Sequence, residues 1–343
     1  MGDPMSTESF DAGSVRIGVV GAGAMGAAHV ETLARWVPGA EVVSVYDLDI
    51  DRAKSVAEDV GAVATSSAEA VVDDSAVEAV VVAAPDPLHE QLALACLAAG
   101  KPTLLEKPLA TSVEGARRVV DAELAGGRRL LQLGFMRRFD PAYVALRSAV
   151  LGGEVGQARA VHCLHRNVEA HPTATSEGVL VNSAVHEFDC VPWILDDRVD
   201  AVTVFAPRVP SGALQDVQVV VLETTGGAVV TIEVAVNARY GYDIHTEVVG
   251  TTGTVSLTPP SGLAFRRSAA DGRHVDGDFV GRFSDAYRIE LAAWLDGVRA
   301  GELPGPSAWD GYVANVVAFA AVESLHAGGR VTVPAYDPPV LYR

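Results

Sequence analysis

Three glycines, Gly21, Gly23 and Gly26, follow a short apolar run with the spacing Gly-x-Gly-x-x-Gly. The first glycine permits a tight turn, the second lets backbone N–H groups approach a pyrophosphate, and the third lets a helix pack closely on a strand. A helix that begins here, with Ala24 and Met25 in its first turn, offers unpaired amides and a positive dipole end to phosphate groups. The turn therefore predicts a dinucleotide site.

An acidic residue, Asp47, ends the next predicted strand, 21 residues after the third glycine. Its carboxylate can accept hydrogen bonds from both hydroxyls of an adenosine ribose, and it would repel a 2′-phosphate. Glycine-rich turns also occur for steric reasons alone, but here strand, turn, helix, second strand and acid come in register. We therefore expect the cofactor to be NAD rather than NADP.

Two further clusters follow strands of the same predicted sheet. Pro85 and His89 come after the apolar stretch 77–84, and Glu106 and Lys107 come at the end of the next strand. Loops at the carboxyl ends of parallel strands line the ligand crevice. His89 is expected to cap its helix or touch the nicotinamide ribose, with an ordinary surface histidine as the alternative. Lys107 can stabilise developing alkoxide charge beside the nicotinamide, with a solvated turn as the alternative.

A predicted helix over 182–195 carries Asn182, His186 and Asp189 at positions i, i+4 and i+7. These positions share one face of an α-helix, so the three polar side chains are expected to lie together. A histidine on such a face can act as a general base at neutral pH. If the helix stood alone, a cluster with satisfied surface hydrogen bonds would be the stronger interpretation.

The elements that must position these residues change in character along the chain. Over 15–135, short apolar strands alternate with helices, which predicts an α/β domain with a doubly wound parallel sheet. Beyond it strands dominate, and several alternate apolar with polar residues, which predicts an α+β domain with a large, mostly antiparallel sheet. We expect a mobile tail at 1–14, a dinucleotide-binding domain at 15–135, and a substrate-binding and oligomerisation domain at 136–343.

Composition narrows the class of protein. The 343 residues include 26 basic and 44 acidic side chains, a net charge of −18, with no basic patch to bind nucleic acid or an anionic membrane surface. The three cysteines are far apart and follow no disulfide or metal-binding pattern, which indicates a reducing compartment. No apolar run approaches the length of a membrane span. We expect a cytoplasmic protein with a small-molecule substrate and no metal.

The order of these clusters resembles the glucose–fructose oxidoreductase / inositol dehydrogenase / rhizopine catabolism (Gfo/Idh/MocA) family. The resemblance covers residues 15–333, and its inositol 2-dehydrogenase branch is the most similar, on three segments: 162–167 (His-Cys-Leu-His-Arg-Asn), 182–189 and 240–243 (Tyr-Gly-Tyr-Asp). It implies a Rossmann domain followed by a domain whose sheet has one open face. That face commonly makes the oligomer contact in the family, so a homodimer or homotetramer is expected.

The resemblance also implies roles for individual residues. Lys107 would hold the reacting hydroxyl, and His186 would take its proton as hydride passes to the nicotinamide. A polyol pocket would then be lined by Met136, Arg137, His165, Asn167, Asp189 and Tyr242. A pocket built on hydrogen bonds rejects substrate analogues that lack a hydroxyl far better than an apolar pocket does.

One residue departs from the branch pattern. Asn182 stands where the branch carries an aspartate four residues before the histidine. An amide can still accept the ring N–H, but it contributes no charge to stabilise an imidazolium. The sequence therefore predicts an NAD-dependent cyclitol dehydrogenase. It leaves as alternatives a dehydrogenase or reductase of the same fold for an aldose or aminocyclitol, and a catalytically silent sugar or NAD sensor.

Overall fold

The computed structural model describes residues 13–258, 264–267, 270–273 and 275–343. Its first sheet is parallel, with the strand order β3-β2-β1-β4-β5-β6. The strands are β1 (Val15–Val20), β2 (Ala40–Tyr46), β3 (Val63–Ala64), β4 (Ala79–Val82), β5 (Thr103–Leu105) and β6 (Leu131–Leu133). We call residues 13–135 the first half of the protein and the residues beyond them the second half. The helices of the first half are α1 (Ala24–Trp36), α2 (Ile50–Glu58), α3 (Ala68–Val72), α4 (His89–Ala98) and α5 (Val113–Gly126).

This first sheet confirms the predicted doubly wound parallel architecture. Every residue of β4 is buried, as expected for a central strand covered by helices on both faces. The sequence analysis missed α2, α3 and β3, which are short elements at one side of the sheet. Asp49 caps α2 by accepting from the backbone of Asp51 and Arg52, a signal that the sequence carries.

The second sheet is mixed but mostly antiparallel, with the strand order β12-β11-β7-β10-β9-β8-β15, and β7 and β10 are its parallel pair. Its strands are β7 (Ala158–Arg166), β8 (Val199–Phe205), β9 (Gln218–Thr224), β10 (Val229–Ala235), β11 (Asp243–Gly250), β12 (Thr254–Ser256) and β15 (Val331–Thr332), and a separate hairpin joins β13 (Ala264–Arg267) and β14 (Ala270–Arg273). The helices of this half are α6 (Pro141–Leu151), α7 (Ser176–Gly178), α8 (Val185–Leu195), α9 (Phe279–Arg282), α10 (Ser284–Ala300) and α11 (Ala308–Ala327).

Later parts of the chain return to the first sheet. The backbone N–H of Leu133, in β6, donates to the carbonyl of Pro306 at 2.8 Å. From α11, the Asn315 side chain donates to the buried Ala110 carbonyl at 2.6 Å. Near the C-terminus, the Tyr342 hydroxyl donates to Glu123 at 2.7 Å. The two halves are therefore joined by hydrogen bonds as well as by packing.

The predicted helix over 182–195 differs from the observed structure. A π-helical turn spans Val179–Ala184, and regular α-helix begins only at Val185. Because a π turn contains more residues per turn than an α turn, Asn182 does not stand one α-helical turn before His186 as the spacing predicted. Single π turns of this kind are frequent at functional sites.

Most of the predicted N-terminal tail, residues 1–12, lies outside the described residues. In the part of the chain that the structure describes, no helix is long and apolar enough to cross a membrane.

Candidate active site

The glycine turn has the shape that a pyrophosphate cradle requires. Gly21 has φ +102°, and a Cβ there would lie 2.4 Å from the Ala83 carbonyl oxygen. A Cβ on Gly26 would lie 1.8 Å from the Gly21 carbonyl oxygen, so α1 can approach β1 only with glycine at this position. A Cβ on Gly23 would meet nothing within 4 Å, so this residue, the N-cap of α1, faces open space. Tight packing behind the turn and open space before it fit the phosphates of a dinucleotide.

Asp47 lies beside this turn at the end of β2. Its carboxylate accepts from the backbone N–H groups of Ala22 at 2.7 Å and Asp49 at 2.8 Å. The Arg52 guanidinium lies 3.8 Å from it. This carboxylate lines a cavity of about 690 Å³, which we call the outer cavity. The outer cavity is lined by Val20, Gly21, Gly23, Tyr46, Asp47, Leu48, Asp49, Arg52, Ala68, Glu69, Ala83, Ala84, Pro85, Leu88, Gln91 and Leu92.

His89 does not line the outer cavity, although Pro85 does. The His89 ring is buried at the start of α4, with Nδ1 2.6 Å from the Pro108 carbonyl oxygen and Nε2 2.8 Å from that of Ala84. Both ring nitrogens are therefore engaged by the backbone. His89 ties the loop after β4 to the loop after β5 instead of facing the cavity.

A second, smaller cavity of about 190 Å³ lies between the two halves, and we call it the inner cavity. It is lined by Met25, Glu106, Lys107, Met136, His165, Asn167, Asn182, Ser183, His186, Tyr242, Phe279 and Tyr287. The structure thus brings together the predicted catalytic residues and four of the six predicted substrate-binding residues. It also brings Met25, from the glycine turn, to the same space. The volume suits a single small ring better than a large ligand.

Lys107 reaches across this cavity from the first half to the π turn of the second. Its ammonium donates to the backbone carbonyl of Asn182 at 3.2 Å. The contact is to the main chain, so the Asn182 side chain is left for other partners. A lysine ammonium so placed can donate to a ligand oxygen and stabilise negative charge that develops on it.

His186 is buried at the start of α8, and its Nδ1 has no hydrogen-bond partner among the described residues. The expected bond from Asn182 to this ring is therefore not made. Burial, with the nearby charges of Lys107 and Arg137, places the pKa of His186 well below its ordinary value. The ring is neutral at physiological pH, as a proton acceptor must be.

Glu106 lines the inner cavity and is paired with His29 of α1 behind it. The His29 Nε2 lies 2.8 Å from the Glu106 carboxylate, and both side chains are buried. Burial alone would raise the pKa of Glu106, but the hydrogen bond to His29 and the charges of His29, Lys107 and His89 hold it below the ordinary value. Gly134 makes room, since a Cβ there would lie 3.0 Å from this carboxylate.

Arg137 lies behind the cavity wall and does not line it. It is 1% exposed and forms a buried ion pair with Glu187. Burial raises the pKa of Glu187, but the charge of Arg137 and the hydrogen bond with His165 outweigh it, so the pKa is lowered. The Glu187 carboxylate also lies 2.9 Å from Nδ1 of His165. Arg137 therefore acts on the cavity from behind, through His165 and Tyr242, which line it.

Asp189 lies away from the inner cavity. It is paired with Arg138, whose Nε donates to it at 3.0 Å, and it lines a different pocket together with Trp193 and Trp309. Burial outweighs the Arg138 charge and raises the pKa of Asp189 to about 6. Asp189 follows His186 by three residues within α8, and its bond to Arg138 holds its side chain at that other pocket. The prediction that Asp189 lines the polyol pocket does not agree with this placement.

Some cavity residues were missed in the sequence analysis. Tyr287 and Phe279 close the inner cavity from α10 and α9, about a hundred residues beyond the catalytic helix, and no local pattern identifies them. Ser183 could have been found, because it adjoins Asn182 in the same motif. Glu69 lines the outer cavity from α3, an element that the analysis did not predict.

The sequence was compared with families and proteins that are already known. Residues 15–135 match the Gfo/Idh/MocA model described as an oxidoreductase family with NAD-binding Rossmann fold. Residues 147–333 match the model of that family's C-terminal alpha/beta domain. The chain belongs to the Gfo/Idh/MocA oxidoreductase family. The predictions of this family, of NAD as the cofactor and of an NAD-dependent dehydrogenase are confirmed.

Individual members of the Gfo/Idh/MocA family are similar over almost the whole chain. Inositol 2-dehydrogenase 1 of Saccharopolyspora erythraea is 48% identical, over 96% of this chain and 99% of that protein. Inositol 2-dehydrogenase of Rubrobacter xylanophilus is 42% identical, over 97% of each. Among solved structures, myo-inositol dehydrogenase of Lactobacillus casei in complex with NAD(H) and myo-inositol has a TM-score of 0.92. It is 35% identical, and the match covers 96% of this chain and 100% of that one.

Proposed function

We propose that this protein oxidises a ring hydroxyl of myo-inositol, at the 2-position, to the ketone. The observation that carries the proposal is the inner cavity, where an ammonium and a neutral histidine meet beside the glycine turn. The cyclitol assignment is supported by the inositol 2-dehydrogenases that are 40–48% identical to this chain. Within the chain we assign residues 15–135 to cofactor binding and 136–343 to substrate binding.

Lys107 is proposed to hold the reacting hydroxyl. Its ammonium is fixed between β5 and the π turn by its bond to the Asn182 carbonyl, and it keeps further N–H groups for a ligand. Bound NAD supplies the hydride acceptor. As the carbinol carbon is oxidised, negative charge develops on its oxygen, and the ammonium stabilises that charge.

His186 is proposed to take the hydroxyl proton. The ring is neutral because its burial and the surrounding cations depress its pKa. The proton therefore moves from the substrate oxygen to an imidazole nitrogen that is free to receive it. Asn182 adds no negative charge beside this ring, which limits how strongly the imidazolium is stabilised.

The other hydroxyls of the ring are proposed to meet His165, Asn167 and Tyr242. All three line the inner cavity, and burial raises the pKa of Tyr242 to about 12, so its phenol stays a hydrogen-bond donor. Met25 and Met136 supply apolar wall. We assign Arg137 to supporting His165 from behind, and we assign no substrate contact to Asp189, which faces another pocket.

We also propose that this protein is cytoplasmic and that it forms an oligomer through the open face of its second sheet. Phe205 and Val219, which pair across β8 and β9, are 59% and 36% exposed on this face, and Val229 is 45% exposed on the same side. Exposed apolar side chains gathered on one sheet face indicate a contact surface. Light scattering on the full chain should give the mass of a dimer or tetramer, and the Phe205→Glu variant should shift that mass toward the mass of a monomer.

The experiment that tests the proposed reaction is an initial-rate screen of cyclitols, aldoses and aminocyclitols with NAD, followed through reduced-nicotinamide absorbance. We expect myo-inositol to be among the best substrates, and NMR of the product should show a ketone at the 2-position. A clear preference for an aldose or an aminocyclitol would overturn the substrate assignment. No transfer of substrate-derived hydride to NAD from any compound would point to a sensor instead.

A further inference from the structure

A carboxylate supports one of the two histidines in the inner cavity, and that histidine is His165. The His165 and His186 rings have their centroids 6.1 Å apart. Nδ1 of His165 lies 2.9 Å and 3.2 Å from the two carboxylate oxygens of Glu187. By contrast, Nδ1 of His186 has no hydrogen-bond partner among the described residues.

The support for His165 is a buried charged network built from three elements. His165 comes from β7, Arg137 from the turn after β6, and Glu187 from α8. The side chains of these residues are 3%, 1% and 1% exposed. Glu187 is ionised, because the charge of Arg137 and the hydrogen bond with His165 hold its pKa below the ordinary value despite burial.

Two partners compete for Nδ1 of His165, and the geometry favours one of them. Arg137 Nη2 lies 3.1 Å away and can only donate, while the Glu187 oxygens can only accept. An unprotonated Nδ1 would turn its lone pair toward two carboxylate oxygens. A protonated Nδ1 donates to them, while Arg137 keeps its own contact with Glu187 through Nη1. The proton therefore belongs on Nδ1.

The consequence falls on the other ring nitrogen. Nε2 of His165 has no hydrogen-bond partner among the described residues, and the ring lines the inner cavity. With the proton on Nδ1 of a neutral ring, Nε2 is an acceptor only. We propose that Glu187, held in place by Arg137, is a positioning residue that makes His165 an obligatory hydrogen-bond acceptor toward the substrate.

This role deepens the proposed function and rests on it for the identity of the ligand. An acceptor nitrogen requires a hydrogen-bond donor on the substrate, such as a hydroxyl. It discriminates against a hydrogen, a methoxyl or a carbonyl at the same ring position, because a buried acceptor is then left unpaired. Glu187 would thus act on substrate choice through His165 without touching the substrate.

The first test reads the tautomer directly in the full-length protein without substrate. Histidine labelled with 15N gives different nitrogen shifts for the Nδ1–H form, the Nε2–H form and the imidazolium, and a His165→Asn variant assigns the signal. We expect the Nδ1–H form near neutral pH. Either of the other two forms would overturn the inference. This outcome does not depend on whether cyclitols are substrates, so it separates failure of the inference from failure of the proposed function.

The second test combines Glu187→Gln with a panel of myo-inositol analogues in which single hydroxyls are replaced by hydrogen or methoxyl. We expect the variant to lose the fixed tautomer and to lose discrimination against analogues at one ring position about tenfold. The preference for NAD should be retained. Unchanged discrimination at every position in a folded Glu187→Gln protein would overturn the inference.

Glu187→Gln leaves the Arg137 charge buried without its partner, so the variant could fail to fold. The double variant Arg137→Met with Glu187→Gln removes both charges together and should show the same loss of tautomer and discrimination. Glu233→Gln is the matched control. It removes a carboxylate that pairs with Arg166, the neighbour of His165 in β7, and it should change neither the His165 spectrum nor discrimination.

Discussion

The outer and inner cavities are built in different ways. The outer cavity is lined only by residues between 20 and 92, and its glycine turn is closed by a backbone bond to one acid, Asp47. The inner cavity depends on side chains from many separate elements, from Met25 in α1 to Tyr287 in α10. The first half of the site is therefore specified by backbone shape, and the second by long-range packing. The two halves should respond differently to substitution.

Among the substitutions that distinguish the two cavities, Lys107→Ala is expected to have the largest effect. Turnover should fall by about 10²–10³-fold, because one donor that stabilises developing oxyanion charge is lost. The dissociation constant of NAD should be nearly unchanged, because Lys107 lines the inner cavity and not the outer one. Steady-state kinetics and calorimetric titration with NAD measure the two quantities.

The matched control for that variant is Lys101→Ala. Lys101 stands just before β5, at the opposite end of the strand from Lys107, and its ammonium is bound to the Val77 carbonyl at 2.8 Å. The Lys101→Ala variant should leave turnover unchanged. Weakened NAD binding with normal turnover in Lys107→Ala would place the lysine in the cofactor half of the site instead.

Asp47→Ala should give the complementary result. Loss of a charged hydrogen-bond acceptor costs roughly 1.5–3 kcal/mol, so kcat/KM for NAD should fall about 10–100-fold. The gap between NAD and NADP should narrow, since the repulsion of a 2′-phosphate is also lost. Asp47→Asn removes the charge and keeps a single acceptor oxygen, so it can accept from Ala22 or from Asp49 but not from both. Comparable parental efficiencies with NAD and NADP would contradict this account of Asp47.

A smaller gain, about tenfold or ~1.4 kcal/mol, is expected in oxidation rate for Asn182→Asp. A carboxylate in the inner cavity would stabilise the His186 imidazolium and raise the pKa of the ring. The parent ring is neutral well below pH 6.5, because its pKa is lowered. Since the base must be neutral, a raised pKa moves the rising limb of the pH–rate profile to higher pH. The gain should appear on the plateau above that limb.

Asn182→Ser provides the comparison for Asn182→Asp, because it removes the amide without adding charge and should not be faster than the parent. If the aspartate variant is no faster at any pH, Asn182 does not act through the basicity of His186. A role in contacting the substrate would then be the better interpretation of this residue.

The smallest effect on catalysis is expected for Glu290→Gln, which should leave both cavities working but alter stability. Glu290 is fully buried in α10, and neither carboxyl oxygen has a partner among the described residues. Burial, with the nearby charges of Glu106 and Asp189, raises its pKa well above 4.5. It stays protonated in the folded protein, whereas the unfolded chain ionises. Stability is therefore lost as pH rises above 4.5.

Glu290→Gln should remove that loss. Its advantage over the parent in free energy of unfolding should grow by up to about 1.4 kcal/mol per pH unit between roughly pH 5 and 7. Denaturant titration at several pH values measures it. Asp296→Asn, an exposed carboxylate of the same helix, is the control and should show no such trend. An advantage independent of pH would mean that Glu290 is ionised in the folded protein.

The outer cavity was largely predictable because its determinants are local. Gly21, Gly23, Gly26 and Asp47 occupy fixed offsets between residues 21 and 47, and steric limits require glycine at the first and third of these positions. Short elements with weak patterns, such as α3, were not predictable. His89 was placed correctly at a helix start but faces two carbonyls, which depends on how neighbouring loops fold.

The inner cavity was predictable in its residue types but not in its geometry. A helical spacing assumes an unbroken α-helix, and the π turn before Val185 invalidated that assumption for Asn182. Asp189 lies in the regular helix with His186 but is bound by Arg138 at another pocket. The Glu187–His165 contact joins α8 to β7, so no local pattern could predict it. The resemblance to a family brought His165 into consideration, but only the folded chain shows which carboxylate supports it.

The hydrogen bonds that return to the first sheet have a consequence for how the protein unfolds. Gln132 and Leu133 in β6 receive partners that lie about 173 residues later, at Gly305 and Pro306. A fragment that stopped at residue 135 would lose these hydrogen bonds and the one from Asn315 to the Ala110 carbonyl. It would also expose apolar side chains such as Leu109 and Leu133, which share one core with Ala308, Trp309 and Ala314, and lost burial costs about 25 cal/mol per Å² of apolar surface. The dinucleotide-binding half is therefore not an autonomous module, and we expect the chain to melt as a single cooperative unit.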